Sequence, residues 1–265
     1  MRISIVIFLL VSSMVSAQEK YHIIHIKSEI YLKSTGELLK PRDVLSPNDE
    51  ITFGSKDAMA AVISSSKGRF IIKLDKVQNT NSELTAAVKN ALFESSGKLS
   101  TRSSLNTMYE LQHYLTGKHV FLGDSAFLLI NRAVMPMNDS QFFFLRYQYK
   151  EESINKKLNF IGDKLLFLSN DIFQIDGKKI NKNEVSDFQL YYYKADEKQS
   201  NLVNSFDMIF LNNNSHKEEL LIINTVVKNL TKEEQQDHLV GYLTDVYGKV
   251  YMPSFEEWTN KHIYR

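Results

Sequence analysis

The chain has 265 residues, 43% of them hydrophobic and 24% charged, which suits a globular protein with a sizeable core. Its 32 Lys and Arg stand against 31 Asp and Glu, so no overall field favours nucleic acid or an anionic membrane. The lack of cysteine excludes disulfides, thiolate metal sites, a cysteine nucleophile and lipid attachment at an N-terminal cysteine.

Residues 1–17 read as a signal peptide. Met1-Arg2 is a short positive start, Ile3 to Leu10 is apolar apart from Ser4, and Val15-Ser16-Ala17 fits the small-x-small cleavage rule. Cleavage after Ala17 is expected, with Gln18 as the mature start. The apolar part falls short of the ~20 residues that span a bilayer. No later stretch reaches that length, so a periplasmic or secreted protein with no membrane span after cleavage is expected.

Residues 18–78 read as a small β module. Tyr21 to Ile26 and Glu29 to Lys33 are strand runs, and Ser34 to Glu37 turns the chain. Leu38-Leu39, Val44-Leu45, Ile51 to Phe53, Ala60 to Ile63 and Phe70 to Leu74 follow. Pro41, Pro47, Gly54 and Ser64 to Gly68 mark the turns between them. Strands this short and close predict a small barrel or twisted two-sheet roll. Over Gly36 to Leu74, the succession of turn glycine, paired apolar residues, Arg42-Asp43, Asn48-Asp49, an Ala-rich strand and Gly68-Arg69 resembles the small β domain of FecR-type envelope proteins. It is also similar to the opening of uncharacterised secreted bacterial proteins. The resemblance implies a β-roll and a role in association; FecR's own signalling needs an inward-reaching membrane segment that this sequence does not offer.

Residues 79–104 read as a connector. Thr80 and Glu83 have capping-box spacing ahead of Leu84, Val88, Ala91 and Leu92, and Glu94 to Ser104 is polar and Ser-rich. Residues 105–265 read as a larger α+β domain of antiparallel sheet plus helices. Leu105 to Leu115 suits a short helix or a strand, with Gly117 beyond it.

From His119 the period becomes two, with hairpin turns expected at Gly123-Asp124, Gly162-Asp163 and Asp176-Gly177. Strands are expected at Ala126 to Ile130, Gln141 to Tyr149, Lys157 to Ile161, Leu165 to Leu168, Ile172 to Ile175, Phe188 to Tyr193 and Phe206 to Leu211. In Gln141 to Tyr149 the set Phe143, Leu145, Tyr147 and Tyr149 is wholly apolar or aromatic, which predicts its face as core. Capping boxes at Ser215/Glu218, Thr231/Glu234 and Ser254/Glu257 predict three closing helices, the first running to Leu230. Strands followed by helices, without βαβ alternation, point to an α+β fold.

The familiar chemistries find little to stand on. Gly123-Asp124-Ser125 has the nucleophile block of GDSL-type hydrolases, but none of the seven histidines has an aspartate three residues before it to complete that machinery. The histidines show no metal-ligand spacing, and there is no HExxH, phosphate loop or dinucleotide fingerprint. Asp171 and Asp176 read as turn carboxylates rather than an acid pair. No catalytic residue, cofactor or metal is expected.

The binding candidates are Tyr191 and Tyr193, which share a strand face, and a lysine cluster of Lys156, Lys157, Lys178, Lys179 and Lys182. The tyrosines suit a sugar or a partner surface, or core packing with hydroxyls at the rim. The lysines suit an anionic glycan or lipid, or a solvated sheet edge. The expected function is a non-enzymatic envelope protein acting through an envelope protein or glycan partner, with no nucleic acid. The alternative is an envelope hydrolase acting on glycan or peptide with carboxylate catalysts not yet picked out.

Overall fold

A computed structural model describes residues 19–73 and 104–264. The expected signal peptide, and the connector with its helix from Leu84 to Leu92, lie outside the described residues. In the first part are β1 (Tyr21–Lys27), β2 (Ile30–Leu32), β3 (Val44–Leu45), β4 (Ile51–Phe53), β5 (Met59–Ser64) and β6 (Gly68–Lys73). They form an antiparallel four-stranded sheet, in the order β3-β1-β5-β6, and a two-stranded β2-β4 sheet. No closed barrel forms among these residues.

The four-stranded sheet is buried on both faces. Ala60, Val62, Phe70 and Ile72 enter a core of the module's own with Tyr21, Ile30 and Leu45. Ala61, Ile63 and Ile71, one residue along, pack against helices from the far end of the chain. This explains the run Ala60 to Ile63, too apolar for a strand with one wet face. In β1 a bulge between Ile23 and His25 breaks the alternation. Ile23 enters the module core and its neighbour Ile24 the core against the helices.

The second part begins with α1 (Met108–Tyr114), capped by Thr107, followed by β7 (Lys118–Leu122) and β8 (Ser125–Leu129). Next come β9 (Gln141–Tyr149), β10 (Glu152–Lys157), β11 (Phe160–Ile161), β12 (Lys164–Leu168), the short α2 (Ser169–Ile172), β13 (Gln174–Ile175) and β14 (Lys178–Lys179). After a 3₁₀ turn at Lys182–Glu184 the chain forms β15 (Val185–Lys194), β16 (Gln199–Ser205) and β17 (Asp207–Leu211). It closes with α3 (Asn214–Val226), α4 (Lys232–Val246), β18 (Lys249–Val250) and α5 (Met252–His262). The fold is α+β. Its sheets include an antiparallel β10-β9-β15-β16, a β11-β12-β8 and a parallel β17-β7-β18.

The parallel sheet departs from the expectation of strands without βαβ alternation. β17, α3, α4 and β18 make a crossover that carries the chain over β7, so that both flanking strands run parallel to it. β7 reads His119 to Leu122 as a nearly unbroken buried run, the pattern of a parallel strand covered on both faces. β17 fills one edge of β7 from Lys118 to Leu122 and β18 pairs with the other at His119 and Val120, while β8 takes β12 as its partner instead. Gly123-Asp124 is therefore a passage between two sheets rather than a hairpin turn. The turns at Gly162-Asp163 and Asp176-Gly177 do close hairpins, β11-β12 and β13-β14.

Other boundaries shift for local reasons. The run Lys157 to Ile161 divides into β10, which pairs with β9, and β11, which pairs with β12. Ile172 closes α2 instead of opening a strand, and its carbonyl accepts the buried Tyr147 hydroxyl at 2.6 Å. The cap of α3 is Asn213, whose side chain accepts from the His216 N–H, and the helix stops at Val226 instead of Leu230. Thr231 and Glu234 do form a reciprocal capping box on α4. Ser254 does not cap α5, because the helix starts earlier, at Met252, and leaves Ser254 inside its first turn with its hydroxyl accepting from the Phe127 N–H.

Two buried polar links cross the seam between the module and the helices, beside an exposed pair of Arg42 with Glu218 at 3.3 Å. Glu219 on α3 is 6% exposed and accepts from His25 Nδ1 (3.0 Å), Tyr242 (2.9 Å) and Tyr247 (2.8 Å). Burial pushes its carboxyl up, but the bonds from His25, Tyr247 and Tyr242 outweigh that and hold it below its ordinary value. Arg69 on β6 donates to Asp245 Oδ2 (2.7 Å) and to the His238 carbonyl (2.8 Å). It reaches α4 over Gly241, where a Cβ would stand 2.5 Å from Arg69 Nη2.

Arg69→Ala removes the guanidinium from a carboxylate whose side chain is 8% exposed, and the expected loss is about 3–5 kcal/mol, read from urea unfolding midpoints. Gly241→Ala is expected to lower the midpoint too, although alanine alone would favour the helix by about 1 kcal/mol.

His119 is buried between Tyr114 and Phe206, with Nε2 lacking a partner among the described residues. Burial, and then the nearby Lys249, bring its pKa from 6.5 down to about 4. The unfolded chain therefore binds the extra proton first. The stability His119 contributes is complete above pH 6.5 and is lost as pH falls toward about 4. His22, His216 and His238 are also lowered, chiefly by burial, and add to the same trend. His119→Phe should flatten part of the stability profile over this window in denaturant titrations at stepped pH.

Candidate binding surface

The sheet β10-β9-β15-β16 turns one face to the core and leaves the other open. The strand period of two sends Phe143, Leu145 and Tyr147 of β9, Phe188, Leu190 and Tyr192 of β15, and Val203 of β16 inward. Tyr192 is 2% exposed, and its hydroxyl donates to the Pro136 carbonyl (2.8 Å). Burial, with Asp196 nearby, pushes that phenol up to about 12.

Tyr191 and Tyr193 take the opposite side, where the register sets Tyr191 against Phe144 and Tyr193 against Phe142. Tyr191 and Phe144 stack at 5.1 Å and 10°, and Tyr193 and Phe142 lie tilted at 5.1 Å. The Arg146 guanidinium rests 4.7 Å from the Tyr191 ring centre and donates to Asn155 Oδ1 (2.9 Å). Lys157 Nζ lies 4.4 Å from the Phe142 ring centre. Leu202 on β16, opposite Tyr191, is 45% exposed.

Phe144 is only 9% exposed, yet it belongs to none of the three buried clusters. Its own neighbours on the open face hide it. The result is an aromatic ladder across two strands, edged by Arg146, Gln189, Asn155 and Lys157.

The lysines do not act as one group. Lys157 joins the aromatic face and also pairs with Asp139 at 3.5 Å. Lys156 donates to the Gln174 carbonyl, and Lys182 lies over the rings of Phe173 (5.2 Å) and Phe210 (5.7 Å). Lys178 and Lys179 stand exposed on β14. Phe142, Phe144, Arg146 and Leu202 were not singled out from sequence. The signal was present for β9, whose residues alternate with a wholly apolar set, so the second row of aromatics in the same strand had to face elsewhere.

The carboxylates stay apart in role: Asp171 accepts from Asn159 Nδ2 (3.1 Å), and Asp176 occupies the β13–β14 turn with φ 47°. Among the described residues, no group of three His, Asp or Glu is placed to hold a metal ion. No family model, curated protein or solved structure matches the chain.

The two faces should separate in mutagenesis. Tyr192→Ala empties a core position and is expected to cost about 3–5 kcal/mol. Tyr191→Ala removes one half-buried stack outside the core and should cost about 0.5–1.5 kcal/mol. Chemical unfolding of the two variants side by side checks the contrast.

Proposed function

We propose that the protein is an exported, non-enzymatic component of the cell envelope, periplasmic or secreted, that works by association. The open face of the β10-β9-β15-β16 sheet is its contact surface, and an acidic patch on another envelope protein is its partner. The observation that carries this reading is the stack of Phe144, Tyr191 and Arg146. Tyrosine, phenylalanine and arginine together are the composition of interface hot spots. Arg146 has no carboxylate partner among the described residues, so an incoming acidic group would find a guanidinium already oriented by two rings and Asn155.

Export rests on the signal-peptide pattern of Met1 to Ala17. No helix among the described residues is long and apolar enough to cross a membrane. The resemblance of Gly36 to Leu74 to the β domain of FecR-type proteins supports an association role as well. The hydrolase alternative draws less support: Asp171 and Asp176 occupy a short helix and a turn, and the two carboxylates that share a groove, Asp124 and Glu257, are engaged by Asn212 and Lys164.

Affinity capture from envelope extracts, with the mature chain from Gln18 onward and an Arg146→Glu, Tyr191→Ala variant in parallel, tests the reading. An envelope protein should be recovered by the wild type, released by salt and absent with the variant. Equal recovery by both would remove the open face from the reaction, and recovery of a polysaccharide alone would replace the protein partner with a glycan.

A further inference from the structure

The open face lies on one sheet; a separate concavity lies at the end of another. Where β7 and β17 finish side by side, Gly123 to Ser125 and Asn212 to Asn214 leave the parallel sheet together. With β12 and α5 they enclose a groove of about 820 Å³. That volume falls in the range of small-molecule sites, and the region beyond the carboxyl ends of parallel strands is where such sites form in open sheets.

The charges of the groove are unequally spent. Lys164 on β12 is paired with Glu257 on α5; Asp124 accepts from Asn212 Nδ2 at 2.7 Å, a neutral amide that leaves its charge in place, so the three lysines of the lining outnumber its two carboxylates by one. Lys217 on α3 and Lys261 on α5 line the same groove and have no carboxylate partner among the described residues. Trp258 and His262 both line the wall; the His262 ring stacks on the indole at 4.6 Å and its Nδ1 donates to the Trp258 carbonyl at 2.8 Å. The indole N–H edge faces Gly123, where a Cβ would sit 2.8 Å from Nε1 and φ is +72°. Only glycine lets the strand end and the indole approach this closely. Ser125, Asn214 and Ser254 add hydroxyl and amide groups to the lining.

We infer that this groove is a binding site for a small anionic sugar, one that carries a phosphate or a carboxylate on a polyhydroxylated body. Lys217 and Lys261 take the anionic group, and the serine and asparagine groups take the hydroxyls. The volume admits a small molecule of this kind, and the two unspent ammonium groups set the sign of its charge. The site is independent of the open sheet face.

Trp258 is the sole tryptophan of the chain, so fluorescence excited selectively at tryptophan, clear of the 13 tyrosines, reports from this groove. The mature protein is titrated with glucose 6-phosphate, glucuronate, glucose and inorganic phosphate, with calorimetry as a second readout. A saturable signal with glucose 6-phosphate or glucuronate is expected, and the two probes distinguish a phosphate from a carboxylate source. A folded Lys217→Ala, Lys261→Ala variant should bind about tenfold more weakly or worse, while Arg146→Glu, Tyr191→Ala should bind as the wild type does. Loss of binding in that last variant would place the site elsewhere and overturn the assignment. So would an absence of signal and heat with both anionic sugars, equal binding by the double-lysine variant, or matching curves from glucose or inorganic phosphate.

Discussion

Strand β7 is the wall on which the larger part of the molecule is built. Because successive side chains of a strand point to opposite faces, Phe121 enters the core beneath the open sheet, while Val120 and Leu122 enter the core between the module and the helices. β17 occupies one edge along its whole length and β18 the other at His119 and Val120, so β7 is the central strand of its sheet. A strand in that position must be apolar along nearly its whole length. The buried His119 keeps to the rule by remaining neutral among aromatic rings. The same constraint forces the chain out of the sheet at Gly123, and the groove opens at that exit.

The module is tied to this wall through the helices rather than through β7 itself. Its sheet lends one face to a core of its own and the other to α3 and α4. Apolar burial supplies the non-directional part of that attachment. The Glu219 and Arg69 links supply direction, since each is satisfied only when β1 or β6 meets one particular turn of a helix. Buried charges of this kind are costly unless fully paired, so the seam has one well-satisfied arrangement.

The two surfaces assigned here to binding differ in kind. The open sheet face is aromatic and edged by cations. The groove is concave and rich in donors, and two lysines in it remain uncommitted. A face of rings and arginine suits a macromolecular surface; an enclosed set of donors suits a single small anion. One rests on an antiparallel sheet and the other on the ends of parallel strands, so each is held by backbone that is fully hydrogen-bonded behind it.

Local chemistry was legible in the sequence where neighbours along the chain decide the outcome. The strand Gln141 to Tyr149 with its inward row, the opposition of Tyr192 to Tyr191 and Tyr193, the Asp176-Gly177 turn and the Thr231 capping box all follow from period or from side-chain reach of three residues. What only the tertiary structure decided involves partners far away in the chain. The parallel pairing of β7 with β17 and β18 depends on a crossover of two helices, which the apolar run of His119 to Leu122 accommodates but is too short to specify. The meeting of Phe142 with Tyr193 and of Phe144 with Tyr191 requires a register set across some fifty residues of intervening chain. The groove requires β7, β12, β17, α3 and α5 at once. Sequence determines which side chains can lie on one face; long-range pairing decides which faces meet, because its free energy comes from contacts between segments that carry no record of each other.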